Sequence, residues 1–87
     1  MTPPLIIRRT ILAELARSRQ FALPREQLLT QVNVRLRPAL TEADLAEHLG
    51  WLKDHDMVDF LPDDMDPNNA AAHRWLIREA GLAALKQ

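Results

Sequence analysis

Arginines and carboxylates, sorted into separate blocks, are the residues of this chain with the most chemistry to offer. Seven arginines (Arg8, Arg9, Arg17, Arg19, Arg25, Arg35 and Arg37) stand in residues 1–40 against Glu14 and Glu26, a balance of +5. Nine acids (Glu42, Asp44, Glu47, Asp54, Asp56, Asp59, Asp63, Asp64 and Asp66) stand in residues 41–66 against Lys53, a balance of −8. Arg74, Arg78 and Lys86 against Glu79 leave the tail at +2. Guanidinium groups bind phosphate oxygens through charge-assisted, often bidentate hydrogen bonds, so the first block suits a polyanion. The second block repels a polyanion and suits a basic partner. Solvation of an outer helix face is the plainer reading of each charge taken singly.

Patterns for catalysis or metal binding are weak. There is no cysteine, hence no thiolate nucleophile, no disulfide and no thiolate zinc site. Two glycines are too few for a glycine-rich phosphate loop. Ser18 is the single serine, with no histidine near it in sequence. His48 and His55 lie two helical turns apart, too far along an axis to share one ion without outside ligands. Asp64-Met65-Asp66-Pro67-Asn68 opens like a calcium loop, but Asn69 stands where that loop needs glycine and Trp75 where it needs a closing glutamate. No enzyme activity, metal or cofactor is expected.

The elements that would position these charges follow from periodicity. Residues 1–4 read as an N-terminal tail. Ile7, Ile11 and Leu15, widened by Leu12, predict a helix over 5–18. Gln20-Phe21-Ala22-Leu23 alternates like a very short strand. Pro24 suits the first turn of a second helix over 24–36, burying Leu28, Leu29, Val32 and Leu36 before Pro38. Thr41 and Asp44 make a capping box for a third helix, with Leu40 and Leu45 as its hydrophobic staple. Leu45, Leu49 and Leu52 fall on one arc of that helix, His48 and His55 on a flank, and Ala43, Ala46, Glu47, Gly50 and Asp54 on the opposite face. Asp56 ends it in the left-handed conformation. Val58 and Phe60, then Trp75 and Ile77, predict a hairpin whose long loop, 62–73, is expected to be mobile. A last helix over 79–86 carries Gly81, which suggests close approach of another backbone.

Helix, short strand, helix, helix, hairpin, helix is the element order of a winged helix-turn-helix domain. Leu49-Gly50-Trp51-Leu52-Lys53-Asp54-His55-Asp56-Met57-Val58 resembles the recognition-helix end of winged-helix regulators of the MarR and PadR kind. Arg74 to Leu85 (RWLIREAGLAAL) resembles their second wing strand running into the final helix, with Arg78 where a threonine cap is usual. The resemblance implies one α+β domain over 1–87: a three-helix core, a short β-hairpin wing and a C-terminal helix. It also implies a binding module of the nucleic-acid or transcription-regulator type. The outward face of the third helix offers no arginine or asparagine for base edges, and its acids oppose phosphate. DNA, if it is the partner, is therefore expected on the arginine-bearing side of helices one and two, with Arg8, Arg9, Arg35 and Arg37 the residues to test. The alternative is a basic protein partner on Glu47, Trp51 and Asp54 of the third helix and on the wing. Opposite charges on one domain also permit a homodimer or head-to-tail self-association. Leu5-Ile6-Ile7, cut off by Arg8-Arg9, is too short for a signal segment or a membrane span, so a soluble, cytoplasmic protein without membrane contact is the expectation.

Overall fold

The computed structural model describes residues 3–18, 21–69 and 72–86. Within them the chain forms α1 (Pro4–Arg17), β1 (Leu23–Pro24), α2 (Arg25–Arg35), α3 (Glu42–Asp54), β2 (Val58–Leu61), β3 (Arg74–Ile77) and α4 (Glu79–Leu85). The three strands make one antiparallel sheet in the order β1-β3-β2, with Leu23 opposite Trp75 and Phe60 opposite Trp75 on the other side. The architecture is α+β, as the element order implies.

Each helix begins and ends for a local reason. Pro3 and Pro4 open α1, where the missing N–H groups would have no helical acceptor. At α3 the Asp44 N–H donates to Thr41 Oγ1 at 3.1 Å, and Asp44 Oδ2 accepts from the Thr41 N–H at 3.5 Å. Asp56 takes φ 59° just past the end of α3. The helix-turn-helix corner has a clamp that sequence reading passed over: the Asn33 amide accepts from the Leu40 N–H at 2.8 Å and donates to the Leu40 carbonyl at 3.1 Å. That pairing fixes where α3 leaves α2.

One core holds these elements together. Ile7, Ile11, Leu12 and Leu15 from α1, Leu28 and Val32 from α2, and Leu45, Leu49 and Leu52 from α3 are buried with Leu23, Leu36, Val58, Trp75 and Ile77. Leu82 and Leu85 of α4 pack against this cluster from its edge. Gly81 is buried in α4, and a Cβ there would collide with the Met57 carbonyl oxygen and approach Ile77 Cγ1 to 2.8 Å. The close approach suggested by the glycine is therefore real.

Several sequence expectations shift. The first strand is Leu23–Pro24, later than the 20–23 alternation suggested, because its position is set by pairing with β3 and not by its own pattern. Gln20 and Arg19 lie outside the described residues. Pro24 sits in that strand and caps α2 from outside it. Leu36 is buried although the helix has already ended at Arg35, and Leu29 is only half-buried. The first helix starts at Pro4, inside the expected tail.

The wing loop is structured by its own side chains over part of its length. Asp63 Oδ2 accepts from the N–H groups of Met65 at 3.0 Å and Asp66 at 2.9 Å. The His73 ring stacks on Phe60 with centroids 4.2 Å apart, and its Nε2 lies 3.2 Å from the Pro67 carbonyl oxygen. Ala70 and Ala71 lie outside the described residues.

Candidate nucleic-acid interface

The outward side of α1 forms a shallow groove of about 510 Å³ lined by Ile6, Arg9, Thr10, Ala13, Glu14, Arg17, Arg35 and Leu85. Its lining includes the one charged side chain buried among the described residues, Glu14. The Arg35 Nε–H donates to Glu14 Oε1 at 2.8 Å, and Arg17 lies 3.4 Å from the same oxygen. Exposure decides how this cluster meets solvent: the Glu14 side chain is 5% exposed, whereas Arg17 and Arg35 are 64% and 57% exposed. The carboxylate is spent inward and both guanidinium groups still face outward. With Arg9, also exposed, the groove carries three cations around one sheltered anion.

Glu14 was legible only as a countercharge. It stands seven residues after Ile7 and one before Leu15, on the apolar stripe of α1, and that spacing was the signal of burial. A carboxylate on such a stripe needs a cation reaching it from elsewhere. Arg35, twenty-one residues on, supplies it from α2.

The four arginines singled out by sequence take different places. Arg9 and Arg35 line the groove, together with Arg17, which sequence reading had not singled out. Arg37 is exposed past the end of α2, where its Nη1 donates to the Asn33 and Leu36 carbonyl oxygens at 2.6 and 2.8 Å. Arg8 is half-buried, with its guanidinium carbon 3.8 Å from the centroid of the Trp51 ring. His55 stacks on the same indole at 3.7 Å and 18°. Two groups this close to one ring must occupy opposite faces, so Trp51 is sandwiched between α1 and the end of its own helix.

The outward face of α3 is as the sequence implied. Glu42, Ala43, Asp44, Ala46, Glu47, Gly50, Lys53 and Asp54 are all exposed, four acids against one lysine. Trp51, named with Glu47 and Asp54 as a partner contact, is half-buried beneath Arg8, which leaves that face without an aromatic anchor. At the start of α4, Arg78 makes no cap with its side chain and bonds Asp59 of β2 at 2.9 Å, tying the wing strand to the final helix. No helix among the described residues is long and apolar enough to cross a membrane.

A three-helix core with a helix-turn-helix corner, a two-stranded wing and a final helix defines a winged helix-turn-helix domain. Among solved structures the chain is similar to a point mutant of MepR from S. aureus, a MarR-family winged-helix regulator, with a TM-score of 0.71 and 13% identity. The match covers 99% of this chain and 54% of that one, so this chain spans about half the length of that structure. At that identity the likeness establishes the fold. No protein-family model matches the sequence, and no curated protein does.

Proposed function

We propose that this chain is a non-catalytic winged-helix module of the DNA-binding, transcription-regulator type that grips phosphates on its α1/α2 side. The observation that carries the reading is the groove lined by Arg9, Arg17 and Arg35, all exposed, in which Glu14, the anion that Arg17 and Arg35 share, is buried. Phosphate affinity comes from cations that release condensed counterions, and this surface offers them where the acidic outer face of α3 does not. Similarity of fold to MepR supports the class. Arg37 extends the cationic ridge past the end of α2, while Arg8 serves mainly to hold Trp51. A gel-shift series over salt concentration tests it. Each of Arg9→Ala, Arg35→Ala and Arg37→Ala is expected to weaken binding across unrelated duplexes and to lower the salt slope by about one unit. Unchanged migration of every duplex at low salt refutes the proposal.

The alternative, a basic protein docked on α3, draws on the exposure of Glu47 and Asp54. It lacks the buried aromatic contact that usually concentrates binding energy, since Trp51 is already sandwiched. Glu47→Lys with Asp54→Lys is expected to leave capture of partners unchanged.

A further inference from the structure

We infer that the acidic tip of the wing docks into the arginine groove of a second copy, giving a head-to-tail contact between molecules of this chain. Two observations meet here. The Asp63 carboxylate is turned back to bind the N–H groups of Met65 and Asp66, which curls the loop into a tight turn. That turn leaves Asp64, Met65 and Asp66 exposed in a row, with Met65 92% exposed, the most exposed large apolar side chain among the described residues. The groove on α1 has the complementary make-up: Arg9, Arg17 and Arg35 share its lining with Ile6, Ala13 and Leu85, and its one acid, Glu14, is buried. A thioether flanked by two carboxylates matches an apolar slot flanked by guanidinium groups in both charge and polarity. The chain thus carries both halves of one contact.

The geometry of such a contact follows from its chemistry. Tip and groove are different surfaces, so the interface is heterologous and each bound pair leaves one tip and one groove unoccupied. Association therefore continues beyond a pair and does not stop at a closed two-fold dimer. One loop in a shallow groove buries less than the ~1,200 Å² of a standard interface, which places the contact in the weak class. Its attraction is electrostatic and falls with salt. The tip occupies the surface that the proposed function gives to phosphate, so a polyanion and a second copy compete for it. Only that competition rests on the proposed function; the docking itself does not.

Sedimentation velocity over a concentration series tests the inference. At about 0.01 M salt, where charges act over ~30 Å, the average mass is expected to climb steadily with concentration; at about 1 M, where the range is ~3 Å, it returns to that of one copy. Asp64→Lys with Asp66→Lys reverses the tip without touching the turn-forming Asp63, and Arg9→Glu reverses part of the groove lining while keeping the Arg17 and Arg35 bonds to Glu14. Each is expected to weaken association by about tenfold, and combining them restores it in part, because the signs match again. Met65→Ser weakens it without changing any charge. Circular dichroism confirms that every variant is folded. A single-copy mass at all concentrations in low salt overturns the inference. So does a fixed dimer indifferent to these substitutions, or a combined variant weaker than either parent. A short duplex, added last, is expected to return assemblies to single copies. If the duplex binds nothing, the proposed function fails while the association results stand.

Discussion

Replacing Glu14 with glutamine sets stability and phosphate binding in opposite directions. Glu14→Gln keeps the shape of the side chain and an oxygen able to accept from the Arg35 Nε–H, now 2.8 Å away, but removes the charge. Breaking a fully buried ion pair costs about 3–5 kcal/mol, largely because the abandoned partner is left desolvated. Here Arg17 and Arg35 are more than half exposed and water replaces the lost anion, so the exposed-pair scale applies and the cost falls to about 1 kcal/mol. For a domain of this length that is a drop in Tm of roughly 4–8 °C. Meanwhile the groove gains one uncompensated positive charge, and each added phosphate contact steepens the slope of log K against log salt by about 0.9. The assay is a duplex gel shift at several salt concentrations, paired with a thermal melt. A folded variant whose affinity is unchanged or weaker, at an unchanged slope, refutes the reasoning. Glu14→Leu removes the charge and the acceptor together: the same rise in affinity is expected with a loss of stability of about 1 kcal/mol, since the half-exposed Arg17 and Arg35 are left without their anion but are taken up by water.

Other substitutions check the fold that presents the groove. Gly81→Ala is expected to destabilise by about 1–3 kcal/mol, because its Cβ meets the Met57 backbone, which cannot give way. Gly50→Ala, with nothing within 4 Å, is expected to stabilise by about 0.5–1 kcal/mol; urea unfolding of both reads the contrast. Thr41→Ala removes the side-chain half of the α3 capping box and is expected to cost about 1 kcal/mol in the same assay. A double-mutant cycle of Arg8→Ala and Trp51→Ala is expected to give a coupling of about 0.5–1 kcal/mol in stability. In a gel shift, Arg8→Ala is expected to disturb duplex binding less than Arg9→Ala does.

What the sequence disclosed was local in origin. The α3 start is written in Thr41 and Asp44, its end in Asp56, and its inner face in Leu45, Leu49 and Leu52, each acting within a turn or two of the helix. Gly81 announced a close approach because glycine is otherwise costly inside a helix. What stayed hidden depends on partners distant in the chain. Glu14 is buried because Arg35 reaches it, Trp51 turns inward because Arg8 covers it, and β1 lies at Leu23–Pro24 because β3 pairs there. Periodicity says which face of a helix is wet or dry, and it does not say which dry position will hold a charge. The candidate site was thus half legible: its arginines were visible, while the anion that gathers them was not.

The order of the sheet bears on how the chain is made. β3 lies between β1 and β2, and the partner of Leu23 is Trp75. During synthesis the first strand therefore waits until Trp75, far along the chain, has left the ribosome before it finds a neighbour. A nascent or truncated chain ending before Arg74 presents two unsatisfied strand edges, with Phe60 lacking its cross-strand tryptophan, and that is a template for aggregation. Deleting the last strand is expected to cost solubility outright, while shortening the loop before it leaves the zipper of three strands intact.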